Sequence, residues 1–190
     1  REGKDLPLTF ANKITICRIL AIPFFIAAIL YYSPQKEYLR YVALGIFLFA
    51  VISDVIDGYI ARTKYQKTKA GAILDPLADK LLLMSAFICL YYKGSFLMDT
   101  IRFPGWIVIA VISRDVFLIV GSFIIYMVHQ GLDVQPTFWG KSTTFLQVFS
   151  IIGILLQWPF SFIVWYVMLF FTFISTVDYI RTGIKVLNTG

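Results

Sequence analysis

The chain has 190 residues, 59% of them hydrophobic and 15% charged, with a mean hydropathy of +0.79. That composition excludes a disordered chain, which needs low hydrophobicity and high charge, and it leaves too few polar residues for a soluble domain, where about 25% charged is usual. What remains is a small integral membrane protein in one domain. The net charge of +6 would suggest nucleic acid in a soluble protein. Here the cations are sorted by loop, as membrane topology demands, so no nucleic-acid partner is expected.

Residues 1–12 are polar and mixed, and read as a cytoplasmic or interfacial N-terminal segment; residues 13–190 read as the membrane domain. A membrane-spanning helix needs about 20 apolar residues. Six runs qualify, at about 14–32, 38–61, 72–92, 104–129, 141–157 and 159–179. None alternates as barrel strands do, and lipid leaves backbone polar groups no partner outside a helix. The expected fold class is therefore all-α, a polytopic membrane protein with six transmembrane helices. Breakers separate the runs at Ser33-Pro34, 63–69, Gly94-Ser95, 131–136 and Trp158-Pro159.

The first run opens with Asn12, Thr15 and Arg18, and Pro23 is expected to kink it. Asn12 suits a helix cap and Arg18 a snorkelling cation. Cys17 and Cys89 have neither zinc-ligand nor redox spacing and read as buried packing thiols. With the N-terminus placed on one side, that side collects eleven Lys and Arg against four on the other, with Lys80 and Arg114 inside apolar runs. This bias puts both termini and the 62–70 loop in the cytoplasm.

Ionisable residues inside spans are functional candidates. The densest group straddles the second and third runs: Asp54 and Asp57 three apart, Asp75 and Asp79 four apart, so that each pair shares a helix face. A short loop would make the two helices antiparallel neighbours and bring all four carboxylates to one depth near the cytoplasmic side. Four aspartates at mid-membrane would cost roughly 10 kcal/mol, comparable to a whole domain's stability, and like charges add repulsion. Only Arg62 and Lys80 lie near enough in sequence to neutralise them. One or two divalent cations supply the missing charge most simply, and oxygen-only ligands favour Mg²⁺, Mn²⁺ or Ca²⁺ over zinc. A carboxylate–Arg/Lys network or a solvated cation vestibule, as in a channel or transporter, would carry the same four acids. Gly58 and Gly71 favour the metal reading, because they allow a bulky group close to the backbone.

The pattern Asp54-x(2)-Asp57-Gly58-x(2)-Ala61-Arg62-x(8)-Gly71-x(3)-Asp75-x(3)-Asp79 resembles the full signature of the CDP-alcohol phosphotransferases, with eight fixed residues across 26 positions. The resemblance implies a six-helix membrane enzyme. It would transfer a phosphatidyl group from CDP-diacylglycerol to an alcohol acceptor and release CMP. It further implies that Asp54, Asp57, Asp75 and Asp79 bind two divalent ions, Mg²⁺ or Mn²⁺. Asp79 would also be the general base for the acceptor hydroxyl. Gly58, Ala61, Arg62 and Gly71 would admit or contact the CDP group, with Asn12, Thr15 and Arg18 of the N-terminal segment near the nucleotide. A homodimer is expected by the same analogy, in a bacterial inner membrane with the active site facing the cytoplasm.

The acceptor falls to the later helices. Arg114, deep in the fourth run, and Lys141, opening the fifth, are the candidate acceptor-binding cations. Phosphatidylglycerophosphate synthases of this family usually carry Arg-Glu followed by a second arginine in the fourth helix, and a basic residue two positions after the fifth-helix lysine. Here Arg114-Asp115 has no such second cation, and the latter position is Thr143. The stretches 112–116 and 136–141 look more like the cardiolipin synthases of the same fold. Phosphatidylglycerol is therefore the expected acceptor, with glycerol-3-phosphate the alternative. His129 reads as an interfacial residue, and Asp178 and Arg181, three apart, are expected to pair.

Overall fold

The computed structural model describes the backbone of residues 10–63, 69–97, 103–128 and 138–188, and the side chains of 15–56, 77–94, 103–121 and 138–182. Among the described residues the chain is all-helical, with no strand. The α-helices are α1 (Phe10–Leu30), α2 (Tyr38–Thr63), α3 (Lys69–Leu97), α4 (Gly105–Val128), α5 (Phe138–Leu155) and α6 (Ser161–Asn188). A 3₁₀ turn, Pro34–Lys36, joins α1 to α2. Each of the six expected apolar runs is a helix. Three described stretches are long and apolar enough to cross a membrane: Tyr38–Ile56, Phe138–Leu155 and Ser161–Thr182. Thr15–Leu30 forms a shorter apolar helix.

Three boundaries differ most from expectation, the first being that α3 runs on to Leu97, past the expected end at 92 and through the expected breaker Gly94-Ser95. α1 starts at Phe10, so Asn12 lies within the helix rather than capping it. α6 continues to Asn188, past the expected end at 179. Residues 179–188 hold no proline, the helix tolerates Gly183, and a helix does not stop where its apolar run stops.

The chain divides into two compact units, Arg1–Cys89 and Leu90–Gly190. In the first, α1 packs on α2. Phe25 and Phe47 meet at 5.9 Å between ring centroids, among the buried residues Ala28, Ile29, Ala43 and Ala50. Small residues let helices approach where lipid offers no hydrophobic drive to associate. At the start of α2, Arg40 is buried and its Nη2 donates to Glu37 Oε1 at 2.6 Å and to Tyr41 Oη at 3.0 Å, so that Glu37 balances its charge beside the 3₁₀ turn. Cys17 is exposed while Cys89 is buried; both are free thiols. The expectation of two buried thiols is thus corrected for Cys17, which shares the exposed face of α1 with Ile16 and Leu20. Such exposure costs nothing where the solvent is lipid.

In the second unit α6 packs on both α5 and α4. The exposed faces are apolar, with Phe138, Phe145 and Phe149 on α5 and Phe162, Phe170 and Phe173 on α6. The polar residues turn inward: Thr143, Gln147 and Ser150 form a buried stripe on α5 at four- and three-residue spacing. That inversion suits a helix surrounded by lipid. Gly121 lets α4 and α6 approach, since a Cβ there would sit 2.8 Å from Tyr179, whose hydroxyl donates to Leu118 O at 3.3 Å. The α5–α6 turn closes with Gln157 N–H on Ile154 O and Trp158 N–H on Gly153 O, with Gln157 at φ 54°. That is the Schellman arrangement, and Pro159 follows it. Asp178 is half-buried and Arg181 exposed, and among the described residues no ion pair joins them, contrary to expectation.

Candidate active site

Thr15 and Arg18 are one turn apart on α1, and both are buried. Ile16, Ile19 and Leu20 occupy the opposite, exposed face. The arginine reaches α2: its Nη1 lies 2.6 Å from Asp54 Oδ1. The pair is asymmetric, because the Arg18 side chain is 1% exposed and that of Asp54 39%. A buried cation requires a counter-charge, and Asp54 supplies it while keeping part of its carboxylate open. The sequence pointed to Arg62 and Lys80 as the neutralising cations. Arg18 is a third, contributed by another helix.

Of the other carboxylates, Asp79 is half-buried on α3 beside the buried Ala78 and the half-buried Lys80. The backbone of α2 runs as unbroken helix through 54 and 57, and that of α3 through 71, 75 and 79. The side chains of Asp57, Gly58, Ala61, Arg62, Gly71 and Asp75, and that of Asn12, lie outside the described residues.

The second unit holds a buried polar network across three helices. Arg114 Nη1 donates to Asp115 Oδ1 at 2.7 Å, and Arg114 Nη2 to Ser175 Oγ on α6 at 2.7 Å. Gln147 Nε2 on α5 donates to Asp115 Oδ2 at 3.1 Å. All four side chains are buried, Arg114 at 3% and Asp115 at 0% exposure. Consecutive helix residues ordinarily point apart, so Arg114 must fold back along α4 to meet Asp115. Arg114 Nε and Gln147 Oε1 have no hydrogen-bond partner among the described residues, which leaves one buried donor and one buried acceptor unfilled. Lys141 is exposed in the first turn of α5, and Thr143 is buried with its hydroxyl donated to Trp139 O at 2.9 Å. The sequence points to Arg114 and Lys141 but to neither Gln147 nor Ser175. A polar side chain inside an apolar run is the signal that could have found both.

The sequence model of the CDP-alcohol phosphatidyltransferase family matches residues 8–175, a stretch that covers most of each unit and every candidate site residue. The chain belongs to this family. It is 31% identical to the CDP-diacylglycerol–glycerol-3-phosphate 3-phosphatidyltransferase of Bacillus subtilis, over 94% of this chain and 97% of that one. The protein of the same name from Pseudomonas fluorescens is 33% identical, over 96% and 93%. The cardiolipin synthase (CMP-forming) of Rattus norvegicus is 31% identical, over 96% of this chain and 64% of its own length. As a CDP-alcohol phosphatidyltransferase the chain is a transferase, and family membership decides against the channel reading of its aspartates. Relatives of both names match along most of this chain, so their names leave the acceptor open.

Proposed function

We propose that this CDP-alcohol phosphatidyltransferase makes cardiolipin, by moving the phosphatidyl group of CDP-diacylglycerol onto phosphatidylglycerol and releasing CMP. The observation that carries the transferase reading is the unbroken aspartate–glycine pattern from Asp54 to Asp79 inside a chain matched by the family over 8–175. The donor set fits hard divalent ions: all four side chains are carboxylates, and Asp54 keeps its carboxylate part-open while one oxygen rests on Arg18. Asp54, Asp57, Asp75 and Asp79 would hold two ions, Mg²⁺ or Mn²⁺. Bound there, the ions supply positive charge to the anionic diphosphate.

The chain's own residues do the rest. Gly58, Ala61 and Gly71 admit the nucleotide, and Arg62 contacts its phosphates, for which a guanidinium's paired donors are suited. Asn12 and Thr15 lie near the same group. Asp79 takes the proton of the acceptor hydroxyl. The hydroxyl oxygen then bonds to the phosphorus attached to diacylglycerol, the bond from that phosphorus to the CMP oxygen breaks, and CMP departs with the electron pair.

Lys141, exposed at the start of α5, and Arg114, through its unfilled Nε–H, are the acceptor's cations in this reading. Phosphatidylglycerol is favoured because both Nη nitrogens of Arg114 already donate within the protein, to Asp115 and Ser175, and the position of a further basic residue is the buried Thr143. A second reading, glycerol-3-phosphate as acceptor, is supported by the names of the Bacillus and Pseudomonas relatives, whose lengths this chain nearly spans. Six membrane crossings, a bacterial inner-membrane location and a cytoplasm-facing site complete the proposal, supported by the positive-inside bias. A homodimer belongs to the proposal by family analogy.

The test is CMP release by protein purified in detergent, with CDP-diacylglycerol, Mg²⁺ or Mn²⁺, and each acceptor offered alone. Release with phosphatidylglycerol only supports the first reading, and release with glycerol-3-phosphate only supports the second. No metal-dependent release with either overturns both.

A further inference from the structure

We infer that Arg18 is a positioning residue for Asp54, holding that carboxylate in the orientation in which it receives a divalent cation. The inference rests on the reading of Asp54 as a metal ligand. It goes further by assigning a role to a residue of α1 that lies outside the aspartate pattern.

The geometry supports it in three steps. Arg18 is locked, since its side chain is 1% exposed on the buried face of α1 and packing removes its freedom. Asp54 is not locked by burial, because its side chain is 39% exposed. The 2.6 Å contact from Nη1 to Oδ1 ties the second group to the first through charge, as an ion pair rather than an aligned hydrogen bond. A carboxylate has about four lone-pair sites, so an oxygen resting on a guanidinium leaves room for a metal.

Repulsion between the guanidinium and a divalent ion works against this role, and the arrangement limits it. Arginine occupies the buried side of the pair and the carboxylate the open side, so an ion arriving from solvent meets the negative end first. Partners that orient a metal ligand from behind typically change metal affinity by about 10–100-fold when removed.

A plain strut between α1 and α2 would show the same ion pair, and metal binding separates the two roles. The measurement is Mn²⁺ affinity of the detergent-purified full chain without lipid substrate, read from the electron paramagnetic resonance signal of free Mn²⁺. Arg18→Gln is expected to weaken Mn²⁺ binding by about 10–100-fold. Arg18→Lys, which keeps the charge that balances Asp54 but loses the planar fork, is expected to recover part of that loss. It also serves as the variant that retains the fold, checked by a monodisperse gel-filtration peak. Wild-type affinity in both folded variants overturns the positioning role and leaves the proposed function standing. No Mn²⁺ binding by the wild-type chain overturns the metal reading of Asp54 and this inference together.

Discussion

Arg114 Nη2 donates to Ser175 Oγ at 2.7 Å, so one guanidinium joins α4 to α6. The same guanidinium is neutralised by Asp115, which in turn accepts from Gln147 on α5. A buried ion pair is costly to break from one side, by about 3–5 kcal/mol, because the remaining charge stays buried and unbalanced. Asp115→Ala is therefore expected to lower the thermal midpoint in detergent by about 6–20 °C, at about 2–4 °C per kcal/mol for a chain of this size. The double variant Arg114→Met with Asp115→Leu removes both charges and should be more stable than Asp115→Ala alone. A double variant as unstable as the single one, or worse, would show that the network is worth more than its charge balance.

Gly121 is where α4 has no room for a side chain. Its Cβ position lies 2.8 Å from both the ring edge and the hydroxyl of Tyr179. Gly121→Leu must displace Tyr179 and break its hydrogen bond to Leu118 O. An overpacked contact costs about 1–3 kcal/mol. A lower unfolding midpoint is expected, and Tyr179→Ala in the same chain should relieve part of the loss. No change in midpoint for Gly121→Leu would mean that the two helices separate freely at this level.

The α5–α6 turn offers the opposite sign. Gln157 holds φ at 54°, a left-handed conformation that costs a residue with a Cβ about 1–2 kcal/mol. The Trp158–Gly153 and Gln157–Ile154 hydrogen bonds fix that geometry, so relaxation is not available. Gln157→Gly is expected to stabilise the chain by about 1 kcal/mol, raising the thermal midpoint. A lowered midpoint would mean that the Gln157 side chain contributes more than its backbone strain costs.

The helices were legible in the sequence because stops such as Ser33-Pro34 and Trp158-Pro159 separate apolar runs, although Gly94-Ser95, read as another, lies inside α3. The helix ends were less so, since Arg181 and Lys185 mark the end of an apolar run but do not break a helix, and α6 passes through both. The aspartate spacing was legible as well, being local to two helices. What pairs with Asp54 was not. Arg18 lies on another helix, and no periodicity within one segment encodes which helices meet. Gln147 and Ser175 were hidden for the same reason: each is a single polar residue in an apolar helix, and only the packing of α4, α5 and α6 gives it a partner. Cys17 is exposed despite its apolar setting, because a helix face turned to lipid is apolar and exposed at once.

The proposed chemistry separates metal from nucleotide at two residues of the aspartate pattern. Gly58 follows Asp57 directly, and its proposed role is to let the nucleotide approach rather than to hold an ion. Gly58→Leu is therefore expected to abolish CMP release while Mn²⁺ affinity stays within about threefold of the wild type. Asp79 is proposed to serve both as ligand and as base. Asp79→Asn keeps the shape of the side chain but cannot accept the hydroxyl proton, and loss of a general base typically costs about 10²–10⁴-fold in rate. For Asp79→Asn, both the rate of CMP release and the Mn²⁺ affinity should fall, and that joint loss distinguishes it from Gly58→Leu. Full transfer activity in Asp79→Ala would remove Asp79 from the base role and pass the proton to another acceptor. Loss of Mn²⁺ binding in a folded Gly58→Leu protein would place the glycine in the metal site instead of the nucleotide path.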